Sequence, residues 1–334
     1  MAKIAINGFG RIGRAVFKII LEKHKNLQVV AINDLTDNKT LAHLLKYDSM
    51  YGRYDKKVDF NDKEIIVNNK KYKVFSEKDP AFLPWKKLKV DVVLECTGFF
   101  RTAETVSAHI EAGAKKVILS APAKDKKIPT FVLGVNDKKI KKSDTIISNA
   151  SCTTNCIAPI VDLIKQNFGI QKVMMTTIHS YTGDQNLIDG PHKDLRRART
   201  AGQNIIPTTT GAAIATTKTV SGIDGLFDGI SIRIPTAVVS IADFVFLLKK
   251  KTTVDEVNKI FIQAKKINKY KNILDITDNP LVSSDFIGNP YSAIIDLQMA
   301  KIVDGDLLKI IAWYDNEWGY SNRLAEMANL IAKK

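Results

Sequence analysis

The stretch "SNASCTTNC" (148–156) places two of only three cysteines four residues apart among small hydroxyl side chains. Three chemistries are open to such a pair: metal ligation, a disulfide, or nucleophilic attack. Structural zinc needs about four ligands with a second Cys or His pair at a fixed spacing, and the histidines at 24, 43, 109, 179 and 192 form no such pair. No metal is expected. Disulfide frameworks belong to small secreted chains. This chain has an odd number of cysteines, no secretory signal pattern and no apolar run of membrane-spanning length. Free thiols in a reducing compartment follow as the expectation.

Nucleophilic attack remains, and helix electrostatics selects the sulfur. Ser148, Asn149 and Ser151 are good N-cap residues, and Cys152, Cys156, Ile160 and Ile164 recur at helical spacing. Cys152 then falls in the first turn, where unpaired N–H groups and the macrodipole favour a thiolate and lower a thiol pKa from about 8.5 to roughly 3.5–7.5. Pro159 kinks this helix without abolishing it. Cys156, one turn on, and Cys96, inside the strand-like "VDVVLEC", read as packing residues. A base for the thiol is His179, which closes the strand-like "KVMMTTIHSYT" and is followed by small polar residues. Anions have their own candidates. Arginine is scarce, nine of the 50 basic residues, and concentrates in "GRIGR" (Arg11, Arg14), "DLRRAR" (Arg196, Arg197, Arg199) and "SIRIP" (Arg233). Such placement suits a planar fork for phosphate.

The elements that must carry these groups divide the chain in two. "KIAINGFGRIGRAVFKIILEK" reads as a strand from Lys3 to Asn7, then Gly8, Gly10 and Gly13 as G-x-G-x-x-G, then a helix along Ile12, Val16, Ile19 and Ile20. A second strand, 27–33, ends at Asp34. The glycines allow a tight turn and close backbone approach, a pyrophosphate can sit on the helix N-terminus, and an acid about 20 residues on takes the ribose hydroxyls. Asp34 repels a 2′-phosphate and "LTDNK" has no arginine to neutralise one, so NAD is expected over NADP. Strands at 90–95, 116–119, 131–135 and 145–147, with a helix near 103–112, extend this half to a doubly wound, mostly parallel sheet.

After the helix at Cys152 and the strand to His179 comes a polar segment of more than 20 residues, "GDQNLIDGPHKDLRRARTAGQNIIP", a length typical of functional or interfacial loops. "TTTG" (208–211) before an Ala-rich helix offers another anion-binding N-terminus. "DGISIRIP", "VVSIADFVFLLKK" and "LLKIIAWYD" point to a largely antiparallel sheet, and "GYSNRLAEMANLIAKK" to a closing amphipathic helix. The formal charge of +15 comes in short lysine runs such as "KKIKK" (138–142) and "LKKK" (248–251). With no recognisable binding motif and no aromatic interleaving, these read as surface coating rather than a nucleic-acid site.

Through "INGFGRIGR", "HLLKYDSMYG", "SNASCTTNC", "HSYTGDQ", "PHKDLRRAR", "NIIPTTTGAA" and "WYDNEWGYSNR", the chain resembles phosphorylating glyceraldehyde-3-phosphate dehydrogenase over essentially its whole length. The fold class expected is α/β. A Rossmann NAD-binding domain (1–149 plus a C-terminal helix, 317–334) joins an α+β catalytic domain (150–316). The resemblance implies a homotetrameric cytoplasmic enzyme of glycolysis and gluconeogenesis, with neither a membrane nor a nucleic acid as primary partner. Its reaction converts D-glyceraldehyde 3-phosphate, NAD and inorganic phosphate into 1,3-bisphosphoglycerate and NADH, through a cysteine hemithioacetal and thioester.

Carried onto matching positions, the resemblance makes Cys152 the nucleophile and His179 its base. It gives Arg11, Ile12, Asp34, Ser120 and Asn316 to NAD, with Lys78 standing where the family commonly has arginine. Thr182 and Arg233 are implied to hold the substrate's own phosphate. Ser151, Thr153, Thr210, Gly211 and Arg197 are implied to hold the attacking inorganic phosphate. "RIPTAVVS" and "IATTKTVSGIDGLFDG" depart from the family pattern. The rival within this chemistry is erythrose-4-phosphate dehydrogenase, which shares thiol and base but releases a free acid by hydrolysis; "HSYTGDQ" and "TTTGAA" favour the phosphorylating enzyme.

Overall fold

The computed structural model describes residues 1–334, in two compact units. One comprises residues 1–131, 138–150 and 321–334, the other 132–137 and 151–320.

The first unit is built on an eight-stranded sheet in the order Ile146–Ser148, Lys116–Leu119, Val92–Glu95, Ala2–Asn7, Leu27–Asn33, Lys70–Phe75, Glu64–Val67, Val58–Asn61. The first six strands are parallel. Central parallel strands are covered on both faces and read as continuous apolar runs, and Val92–Glu95 is buried at all four positions. Trp85, Val93, Val106 and Val117 form one core cluster of this unit. Helix Arg11–Lys23 follows the first strand directly, with Val16, Ile19 and Ile20 buried.

The far edge of this sheet, residues 58–75, departs from the expected strand–helix alternation. It is an antiparallel meander whose second turn is Asn68-Asn69, both at positive φ (47° and 66°). Paired Asn residues at positive φ are the signature of a two-residue hairpin, and "VNNKKYKV" carried that signal. The strand expected at 131–135 is absent. Thr130 makes one isolated bridge to Ser148, and the chain then turns, because Gly134 sits at φ 77° and the Asn136 side chain accepts from Val132 N–H at 2.8 Å.

The second unit also carries an eight-stranded sheet. Its main path runs Ile206–Thr209, Phe227–Ile234, Ile170–Ser180, Ser240–Leu248, Leu307–Tyr314, Ala293–Asp296, Leu274–Thr277, with Lys301–Val303 paired beside Leu307–Tyr314. Pairing is mostly antiparallel, but Ile170–Ser180 runs parallel to Phe227–Ile234, and Leu274–Thr277 parallel to Ala293–Asp296. That first parallel pair sets His179 directly opposite Arg233. The closing helix, Trp318–Ile331, runs from the second unit into the first. Ser321, Asn322, Arg323, Leu324, Ala325, Met327 and Ala328 are all buried, so almost every face is covered.

Candidate active site

Where Ala2–Asn7 turns into helix Arg11–Lys23, the glycine motif forms one side of a 640 Å³ cleft in the first unit. Gly8 sits at φ 89°, and a Cβ there would lie 2.8 Å from Thr97 N. A Cβ on Gly13 would lie 2.1 Å from Gly8 O, so the helix can pack on the turn only without a side chain. Gly10 differs: it is the N-cap, no side chain caps the helix there, and a Cβ would meet nothing within 4 Å. Uncapped N–H groups facing open space are what a pyrophosphate fills. The structure therefore fits a dinucleotide.

The rest of the cleft repeats that fit. Asp34 lines it, its carboxylate fixed by Phe9 N–H at 2.7 Å and Thr36 N–H at 3.0 Å. Lys78 lines it too, with an exposed side chain. Arg11 and Ile12 open the helix, but the Arg11 guanidinium is bound to Asp48 at 2.8 Å, which leaves its backbone as the group at the helix start. Ser120 follows strand Lys116–Leu119 and donates its N–H to Glu95 O at 2.9 Å. Cys96, expected to be packing, instead lies just beyond Val92–Glu95 and is half-buried on the cleft wall. Burial and then the Glu95 charge push its thiol far up, away from the thiolate. Below the wall, Asn7 Nδ2 donates to Glu95 Oε2 at 2.5 Å and Asn33 Nδ2 to Asn7 Oδ1 at 2.7 Å. Sequence reasoning missed this set.

In the second unit, Cys152 is the first residue of helix Cys152–Phe168, and the Ser151 side chain caps that helix by accepting from Thr154 N–H at 3.1 Å. Just before the cap, Ala150 is held at φ 57°, a conformation that costs an L-residue roughly 1–3 kcal/mol and clusters at functional sites. Cys152 Sγ is 3.5 Å from His179 Nε2 and 3.9 Å from Thr153 Oγ1. His179 Nδ1 is 2.7 Å from Ser180 O, and we assign the ring proton to Nδ1, which leaves the Nε2 lone pair facing the sulfur. Cys156 is fully buried, as its packing role requires.

Burial pushes the Cys152 thiol up, against the Thr153 hydroxyl, Arg233 and the helix N–H groups, which pull it down. Cys152 is only half-buried, so the helix start, the Thr153 hydroxyl and Arg233 work for the thiolate against the desolvation that the site imposes. Burial and then Arg233 lower His179 to about 3. The imidazole is thus held neutral, with Nε2 placed to take the thiol proton.

Arg233 Nη1 lies 2.9 Å from His179 Nδ1 and donates to Ser180 O at 3.0 Å and Thr182 Oγ1 at 3.3 Å. Its Nε is buried with no hydrogen-bond partner, a donor waiting for an acceptor. Arg197 donates to Asp184 at 2.7 Å, Thr208 Oγ1 at 3.0 Å and the Thr209 carbonyl at 3.1 Å, rather than to Thr210. The Thr210 hydroxyl accepts from Ala212 N–H at 3.2 Å. Gly211 is the N-cap of helix Ala212–Thr219 and no side chain caps it. Asp184 joins the two arginines, since it also accepts from Thr182 Oγ1. Thr153 Oγ1 and Thr177 Oγ1 both meet Tyr314 OH at 2.9 Å. Tyr314, edge-on to His179 at 6.0 Å between ring centroids, and Asp184 are site residues the sequence reading did not single out. Asn316 is buried, its Oδ1 accepting from Ser240 Oγ at 3.0 Å.

Two family models and several curated relatives match the chain. Residues 2–103 match the family model "Glyceraldehyde 3-phosphate dehydrogenase, NAD binding domain", and residues 151–316 match "Glyceraldehyde 3-phosphate dehydrogenase, C-terminal domain". The chain is 53% identical over 334 residues to glyceraldehyde-3-phosphate dehydrogenase of Thermotoga maritima, covering 100% of both. It is 50% identical to that of Geobacillus stearothermophilus, covering 99% of this chain and 98% of the relative. It is 49% identical to that of Borreliella burgdorferi, covering 99% and 100%. With a dinucleotide cleft in one unit, a thiol and imidazole in the other and these relatives at full length, the chain belongs to the glyceraldehyde-3-phosphate dehydrogenase family and is an NAD-dependent enzyme.

Proposed function

We propose that the chain oxidises D-glyceraldehyde 3-phosphate with NAD and inorganic phosphate to 1,3-bisphosphoglycerate, through acyl chemistry on Cys152, in glycolysis and its reverse. The observation that carries this reading is the 3.5 Å approach of Cys152 Sγ to His179 Nε2 at an N-capped helix start. Cys152 Sγ adds to the aldehyde carbon while Nε2 takes the thiol proton. The new oxyanion gathers N–H groups of the helix start and the protonated imidazole, which returns its proton and leaves a hemithioacetal. When bound, NAD supplies the acceptor for the hydride that leaves this carbon. His179 Nε2 takes the hydroxyl proton in that step, and a thioester remains on Cys152. Inorganic phosphate then attacks the thioester carbonyl, the sulfur leaves as thiolate, and the imidazolium reprotonates it.

Arg233 and Thr182 are the pair for the phosphate on the aldehyde, supported by their 3.3 Å contact and the free buried Nε of Arg233. Arg197, Ser151, Thr153, Thr210 and Gly211 are the groups for inorganic phosphate; here a helix start whose N-cap, Gly211, brings no side chain of its own supports the reading. Arg11, Ile12, Asp34, Lys78 and Ser120 serve the cofactor. Leu187, Ile188, Leu195 and Ile205 are each more than 70% exposed, an apolar display that supports burial between copies of the chain in a homotetramer. No helix is long and apolar enough to cross a membrane, in keeping with a cytoplasmic enzyme. Steady-state NADH formation from glyceraldehyde 3-phosphate and from erythrose 4-phosphate, each with and without phosphate, tests the assignment. The reading requires turnover with the triose that depends on phosphate; phosphate-independent turnover, fastest with the tetrose, would replace it with the hydrolytic rival.

A further inference from the structure

Three neighbouring parallel strands of the first unit, Val92–Glu95, Ala2–Asn7 and Leu27–Asn33, end in register on Glu95, Asn7 and Asn33. All three side chains are buried, and so is His109 on helix Ala103–Glu111 behind Glu95. A buried acid is tolerated only where its oxygens are met by donors. Those of Glu95 are: Oε1 accepts from Thr97 N–H at 2.8 Å and from the Thr97 hydroxyl, and Oε2 accepts from Asn7 Nδ2 at 2.5 Å and lies 3.0 Å from His109 Nε2.

The partners fix the orientation of every group in this rung. An indole N–H can only donate, and that of Trp85 donates to His109 Nδ1 at 3.1 Å, so the ring proton is on Nε2, facing Glu95. Asn7 Nδ2 is committed to Glu95, which turns Asn7 Oδ1 toward Asn33 Nδ2 at 2.7 Å. Asn33 then closes a ring on the main chain of Glu77, Nδ2 donating to Glu77 O and Oδ1 accepting from Glu77 N–H, each at 2.9 Å. Glu77 lies in neither helix nor strand, so these side-chain bonds do for it what a sheet ladder does elsewhere. Asn7, Asn33, Glu77 and Thr97 line the cleft, whereas Glu95 and His109 do not.

We propose that Glu95 and His109 are positioning residues for NAD, an inference that rests on the cleft being the cofactor's. They act through Asn7 on Thr97 and Glu77, which follow the strands Val92–Glu95 and Lys70–Phe75 on opposite sides of Ala2–Asn7 in the sheet. A satisfied buried polar network holds one arrangement, so the walls are set before the cofactor arrives and binding has less left to order. The substitution Glu95→Gln shows what the carboxylate holds, because one acceptor oxygen becomes an NH2 donor. Turned toward Asn7, that donor meets Nδ2 and is accommodated only if the Asn7 amide and then the Asn33 amide turn over, which breaks both bonds to Glu77. Turned the other way, it meets Thr97 N–H. Either orientation frees one wall of the cleft.

Calorimetric titration of the full chain with NAD tests this, with steady-state kinetics beside it. Glu95→Gln should weaken NAD binding by about fivefold or more. The Michaelis constant for NAD should rise in proportion while kcat stays within about twofold, since the thiol and imidazole belong to the other unit. His109→Asn keeps an acceptor for Trp85 but no donor for Glu95, and should weaken binding likewise; His109→Gln keeps the donor and should recover most of that loss. Val117→Ala, a core truncation in the same unit, should lower the melting temperature and leave NAD affinity unchanged. Parental affinity in Glu95→Gln, equal loss in the two His109 variants, or a comparable loss in Val117→Ala would overturn the proposal. Failure of the parent to bind NAD would instead remove the cofactor reading of the cleft, and the proposal with it. Should Glu95→Gln misfold, the His109 pair decides in its place.

Discussion

His179 and Arg233 stand opposite each other in register on adjacent parallel strands, with the guanidinium Nη1 2.9 Å from the imidazole Nδ1. One cation thus serves two purposes. Its buried, unpartnered Nε is the donor proposed for the phosphate on the aldehyde, and its charge disfavours the imidazolium, so that the imidazole waits neutral with its lone pair toward Cys152.

That arrangement has a pH signature. His179 titrates near 6.5 when unfolded and at about 3 when folded, so between these values the unfolded chain binds more protons and stability rises with pH. The contribution is complete above about pH 6.5 and is lost as pH falls toward 3. From pH 7 to 5 it amounts to about 2 kcal/mol. Urea unfolding of the parent and of His179→Gln at both pH values should differ by that amount in their pH-dependent loss. Equal losses would mean that His179 is not held neutral in the fold.

Arg197 and Arg233 should separate by substrate. Hydrogen bonds to charged groups contribute about 1.5–3 kcal/mol, roughly ten- to a hundredfold in a Michaelis constant. Arg233→Ala should raise that for glyceraldehyde 3-phosphate and matter far less with unphosphorylated glyceraldehyde; Arg197→Ala should raise that for inorganic phosphate. Because Asp184 contacts Arg197 directly and Arg233 through Thr182, Asp184→Ala should shift both constants. Kinetics with each substrate varied in turn checks the pattern, and equal shifts in both constants for both arginine variants would defeat it.

On the proposed roles, cofactor choice rests on Asp34. Its carboxylate is held in the cleft by Phe9 and Thr36 N–H groups, and in the role proposed for it would repel a 2′-phosphate. NAD should be used far better than NADP, and Asp34→Ala should narrow the gap in kcat/KM. Equal efficiency with both in the unmodified protein would remove the residue from that role.

How much of this was readable in the chain follows the range of the interactions. The glycine turn, the helix at Cys152 and the strand ending in His179 are written in spacings of a few residues, and they appear as expected. What sequence could not carry is depth. Burial raises the Cys152 thiol, and Tyr314 reaches Thr153 across 161 residues. Residues 131–135 look like a strand by apolar content alone, but Gly134 and the Asn136 side chain turn the chain there. The Asn68-Asn69 hairpin was readable and was passed over because alternation of strand and helix dominated the pattern.

The central claim is that Cys152, activated by His179, carries the acyl group. The direct measurement is a phosphate-free reaction of the protein with glyceraldehyde 3-phosphate and excess NAD, quenched in acid, followed by peptide mass mapping. A burst of one NADH per active site should coincide with a 3-phosphoglyceryl thioester on the peptide bearing Cys152, discharged when phosphate is added. Cys156→Ala should retain the burst and Cys152→Ala lose it while still binding NAD. An adduct on Cys156 or Cys96, or continuous NADH formation without phosphate and with no adduct on Cys152, would contradict the account.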